Sequence, residues 1–142
     1  MCMMVYIASD YQLPTQPWDE AHPRFHVTDL IERDSPVRLQ FSKTWVYYVG
    51  SHEGCGCGFQ YGQYPQFEDE ATARAAQMSR HLFEEFLLLG LQHQHSIELF
   101  ACWDGDQASA PEFREQISPL ELLRNRTFFR GKELVVVSNH PA

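Results

Sequence analysis

The chain has 142 residues, 44% of them apolar, and a formal net charge of −8 at pH 7. That length suits a single domain spanning 1–142, and the apolar fraction suffices for a core without disulfides. So acidic a balance, with its few basic residues scattered, argues against a nucleic-acid partner, because phosphate binding needs clustered Lys and Arg.

A membrane span is not expected either. The run Phe86 to Leu89, with Leu91 behind Gly90, is far short of the roughly 20 residues a bilayer requires. The opening MCMMVYIASD lacks a basic leader and is too short for a signal peptide. A cytoplasmic, reducing setting is the expectation. There Cys2, Cys55, Cys57 and Cys102 serve as thiols or ligands rather than as a disulfide framework.

In chain order, Met3 to Ala8 (MMVYIA) reads as a buried strand. Prolines 14, 17 and 23 interrupt regular structure, so Tyr11 to Phe25 is expected to be an irregular connection. Val27 to Arg33 suits two turns of helix. Val37, Leu39 and Phe41 alternate with Arg38 and Gln40, the period-two pattern of a half-exposed strand. Trp45 to Val49 (WVYYV) is the strongest strand, and a hairpin across Ser42, Lys43 and Thr44 would join the two.

Asp69 to Leu89 is the clearest helix, with Ala71, Ala75, Met78, Leu82, Phe86 and Leu89 recurring at helical spacing. Glu68, Asp69 and Glu70 favour its N-terminus, and Gly90 is its expected stop. Ile97 to Trp103 follows as a strand. Ser118-Pro119 opens a short helix over Leu120 to Arg124, with serine as cap and proline in the first turn. The chain closes with Phe128-Phe129, a turn at Arg130-Gly131-Lys132 and a strand from Leu134 to Val137. The fold class is therefore α/β or α+β in two layers, a mixed sheet of four or five strands with the long helix on one face. If Trp45–Val49 and Ile97–Trp103 are parallel neighbours, their carboxyl ends bring loop 51–58 and the segment CWDGD (102–106) to one edge.

That loop, within GSHEGCGCGF (50–59), concentrates the chemistry. A zincin helix fails, since Gly56 stands where H-E-x-x-H needs its second histidine and the glycines oppose a helix. The nucleophile elbow, dinucleotide loop, calcium loop and zinc-deaminase patterns fail on spacing or residue type. Three readings stay open. In the first, His52, Cys55 and Cys57 bind a zinc-like ion, with Cys102 or water in fourth place and Glu53 as acid/base. His140 and Asp104 are weaker ligand candidates. In the second, Cys55 and Cys57 form a strained, reducible pair activated by His52. In the third, the glycines only shape a turn over small buried thiols.

Elsewhere, His81 reads as a surface histidine beside Glu85, and His93 and His95 as loop polarity at the opposite end. The aromatics of FQYGQYPQF (59–67) suit a core, a ligand pocket or a partner surface. Function thus divides between a small metal-binding or thiol-dependent protein and a non-catalytic interaction module. The latter would be a homodimer or dock a protein partner through that aromatic loop. No small-molecule ligand and no enzyme activity is specified by these residues.

Overall fold

In a computed structural model the chain forms one six-stranded mixed sheet with a long helix on one face. The structure describes residues 1–60, 68–122 and 129–139. The aromatics of 61–67, Phe128, His140 and the end of the helix expected over Leu120–Arg124 lie outside those residues.

The strands are β1 (Met3–Ser9), β2 (His26–Asp29), β3 (Trp45–Gly50), β4 (Ile97–Trp103), β5 (Phe113–Ile117) and β6 (Glu133–Val137), and helix α1 is Glu70–Gly90. Their order across the sheet is β2-β3-β1-β4-β6-β5. Only β5 and β6 are parallel; the other neighbours are antiparallel. The sheet class is as expected, with six strands rather than four or five. Strands β3 and β4 do run in the same direction, but β1 lies between them, antiparallel to both. The ends of β3 and β4 therefore share a rim with the start of β1.

Alternation along β1 divides the core in two. Met3, Val5 and Ile7 face α1 together with Val49, Leu99 and Val135, against Phe83, Phe86 and Leu87 of the helix. Met4, Tyr6 and Ala8 face the other way with Phe100, Cys102 and Leu134. That second face is covered by the 3-10 segment Glu32–Gln40, which inserts Val37.

Three local expectations change. Val27 belongs to β2, held by pairing with Val49, rather than to a helix. Val37 and Leu39 lie in the 3-10 segment and not in a strand: Pro36 has no N–H to give a ladder, and the segment's ends close by Asp34 N–H to Ile31 and Phe41 N–H to Arg38. No hairpin forms across Ser42; instead Glu98 accepts the Ser42 and Lys43 N–H groups at 2.9 and 3.1 Å. Strand β5, FREQI, went unforeseen because its outward residues carry almost no apolar alternation.

Helix α1 starts as its acids predict, with Asp69 accepting Thr72 N–H at 2.7 Å. Its buried residues, however, are Ala76, Ser79, Phe83, Glu84, Phe86 and Leu87, while Met78 and Leu89 are more than half exposed. The helix is turned so that Ser79 reaches the glycine loop. Gly90 is the last helical residue and not the cap; a Cβ there would lie 2.7 Å from Ile97 Cδ1, so glycine lets β4 return closely. At the other short helix, Ser118 Oγ accepts Glu121 N–H at 3.2 Å, the expected cap.

Candidate metal centre

The loop after β3 is built around Ser51. Its N–H and its hydroxyl both donate to the Cys55 carbonyl, at 3.0 and 2.6 Å, while its own carbonyl accepts Gly54 N–H at 3.0 Å. This closes a tight turn that needs a positive φ at Gly54, observed at 88°. A 3-10 turn, Gly56–Gln60, follows. At Gly56 the loop lies directly on the start of β1: a Cβ would sit 2.7 Å from Val5 Cγ2 and 2.9 Å from the Met3 carbonyl oxygen. Glycine is what permits that contact.

The close approach brings Cys57 Sγ to 3.3 Å from the Met3 N–H, which donates to it. One residue earlier, Cys2 is anchored by its carbonyl, which accepts Asp104 N–H at 2.9 Å. The start of β1 is thus pinned between the glycine loop and the end of β4. The result is a group of three sulfurs, from Cys2, Cys55 and Cys57, all within 4.8 Å of one another. Cys2 is exposed, Cys57 half-buried and Cys55 buried.

Burial pushes the Cys55 thiol up to about 12, against the Cys57 backbone amide, which favours its thiolate. The Cys57 and Cys2 side chains add to the rise by hydrogen bonds that favour the neutral thiol, and the nearby charge of Cys57 opposes ionisation as well. Tyr48, whose hydroxyl donates to the Gly54 carbonyl, is also raised, by burial first and then by Cys55 and Cys2.

The remaining residues singled out from sequence occupy other positions. His52 turns toward α1, where Ser79 Oγ accepts its backbone N–H at 3.1 Å and lies 2.9 Å from Nδ1. Because Ser79 accepts one bond it can give its own hydrogen to Nδ1, which leaves the ring proton on Nε2, 3.8 Å from Glu53 Oε1. Burial lowers the His52 pKa, so the ring is neutral. Glu53 is half exposed at the loop tip. Cys102 pairs in register with Met4 and is fully buried in the helix-free core, its thiol pushed up to about 12 by burial and by Asp106, Asp104 and Asp34. None of these three joins the sulfur group among the described residues. Asp104 contributes its backbone, not its carboxylate, by holding Cys2.

Cys2 is the member that spacing did not identify as a ligand. The cue lay in strand order, since only an antiparallel strand inserted between β3 and β4 puts its own start at their common rim. His81, as expected, pairs with Glu85 at the helix surface, 3.1 Å apart. No protein-family model matches this sequence, and no curated protein or solved structure matches it significantly.

Proposed function

We propose that Cys2, Cys55 and Cys57 hold one soft or borderline metal ion, zinc being the ion that best suits three thiolates in a tight cradle. The observation that supports this is the convergence of three sulfurs from two distant segments within 4.8 Å. A tetrahedral zinc with Zn–S near about 2.3 Å asks for sulfurs about 3.8 Å apart. Exposed Cys2 has the rotational freedom to close that difference. The Met3 and Cys57 amides directed at sulfur favour thiolates, as ligand thiolates require. Water or an added ligand would take the fourth place.

The test is metal analysis of protein purified without tag or chelator, followed by cobalt(II) titration. The expected result is about one ion per chain with thiolate–cobalt absorption. Cys2→Ser and Cys57→Ser should each abolish it, and Cys102→Ser should not. A metal-free wild type that takes up no cobalt would end this reading, as would full binding by Cys2→Ser.

One observation favours a second reading of the same group: Cys2 is exposed beside two other thiols. A small organic disulfide could oxidise two of them, one S–S bond forming as two protons and two electrons pass to the reagent, which leaves as two thiols. Alkylation followed by mass spectrometry distinguishes the readings. Protection by zinc, lost on chelation, belongs to the metal site; protection only after oxidation belongs to exchange.

A further inference from the structure

On the helix-free face, beside the sulfur group but not including it, lies a cleft of about 340 Å³. Trp18, Tyr48, Met4 and Ile31 make it predominantly apolar, while Asp34 and Asp29 bring carboxylates to it and Arg33 a guanidinium. The aromatic wall is continuous. The ring of His26 stands 4.7 Å from that of Trp18 and 5.9 Å from that of Tyr48, centroid to centroid. His26 Nδ1 lies 3.0 Å from the Arg24 carbonyl, to which it donates, and burial lowers the ring's pKa, so this wall carries no positive charge.

Asp34 is 3% exposed, and its Oδ1 is the one buried side-chain oxygen or nitrogen among the described residues that makes no hydrogen bond. Its cationic neighbour is Arg33, whose Nε stands 3.5 Å away while Nη2 stands 3.6 Å from Asp104 Oδ1. The Arg33 side chain is 66% exposed. It lies across two acids and covers the buried oxygen without satisfying it. The carboxylate as a whole is not bare, since the Tyr6 side chain hydrogen-bonds to it and Arg33 pairs with it; Oδ1 itself still lacks a hydrogen-bond donor, which buried carboxylate oxygens ordinarily have.

We propose that this cleft binds a small primary ammonium with an aromatic or alkyl body, its N–H donating to Asp34 Oδ1 and its body lying between Trp18 and Tyr48. Arg33 moves aside toward Asp104 when the ligand enters. Three features select this class. The unsatisfied oxygen requires a donor hydrogen, which a quaternary ammonium lacks. Aromatic faces attract both a cation and an apolar body. An overall charge of −8 raises the local concentration of cations over anions.

The probe is phenethylammonium, compared with phenethyl alcohol, its neutral counterpart of nearly equal size, by calorimetry and tryptophan fluorescence. Saturable binding of the amine is expected, with the alcohol at least about tenfold weaker, the difference a charge-assisted hydrogen bond makes. The fluorescence response should vanish in Trp18→Phe. Asp34→Asn should weaken the amine about tenfold, and Arg33→Gln, on an exposed side chain, should tighten it several-fold by removing the competing cation. Cys2→Ser should bind the amine as wild type does, which separates this cleft from the thiolate site. Equal affinity for amine and alcohol, no saturable binding of either, or weaker binding in Arg33→Gln each overturns the proposal, and the amine–alcohol comparison does not depend on any variant folding.

Discussion

Two buried thiols set a pH dependence that can be signed in advance. Cys55 and Cys102 are each pushed up to about 12, mainly by burial, whereas an unfolded thiol titrates near about 8.5. The folded state therefore keeps protons that the unfolded state releases. Their contribution to stability is complete below the unfolded value and is lost as pH rises through the folded one. Tyr6 and Tyr48, raised chiefly by burial, act in the same sense at still higher pH. Urea midpoints of metal-free protein should fall steadily from about pH 8.5 upward. Cys102→Ala should flatten part of that slope; an identical slope would show that burial of this thiol is not its source. Metal binding runs the other way, since Cys55 must lose its proton to become a ligand, so apparent affinity should rise with pH across the same interval.

Among the elements, the glycine loop offers a contrast between two kinds of glycine. Gly56 is required by contact: its missing Cβ would meet Val5 and the Met3 carbonyl, and backbone cannot give way cheaply. Gly54 is required by conformation, with φ at 88° and open space where a side chain would stand. Gly56→Ala should destabilise by about 1–3 kcal/mol through overpacking. It should also weaken metal binding, because it lifts Cys57 off the Met3 N–H. Gly54→Ala should cost about 1–2 kcal/mol in backbone strain while leaving the metal affinity of the folded protein close to wild type. Chemical denaturation with parallel cobalt titrations reads both. If the two variants lost metal equally, the contact at Gly56 would not be what positions Cys57.

The same distinction explains how much of each element was legible. Residues Met3–Ala8, Trp45–Val49, Ile97–Trp103 and Leu134–Val137 are strands of β-branched and aromatic residues buried on both faces, and composition alone marks them. The acids at the start of α1 announce its N-terminus. Val37 and Leu39 misled because alternation over so few residues also arises in a 3-10 turn, where Val37 goes inward and Leu39 ends 77% exposed. The helix stripe misled through Ser79, a polar residue that no hydrophobic count places inside, buried because it binds the backbone and ring of His52.

For the molecule as a whole, the turned helix makes a direct prediction. Phe83 is fully buried, in ring contact with Phe25, Phe59 and Phe129, so Phe83→Ala should cost about 3–5 kcal/mol. Met78, on the stripe that periodicity favoured, is 55% exposed, and Met78→Ala should stay within about 0.5 kcal/mol. Urea denaturation of the pair decides between the two helix orientations, since the periodicity alone predicts the reverse order. Also at this scale, no helix among the described residues is long and apolar enough to cross a membrane.

The amino-acid sequence by itself determined a two-layer α/β or α+β class, the long helix with its acidic start and the concentration of sulfur around a glycine turn, because these follow from local composition and spacing. Only the tertiary structure decided that Cys2 completes the sulfur group while His52 turns to Ser79 and Cys102 enters the core. It also brought Asp34 beneath Arg33 next to Trp18 and Tyr48. The physical reason is common to all of these. Which residues meet at a rim depends on strand order, and strand order is set by the burial of whole faces, not by anything within hydrogen-bonding distance along the chain.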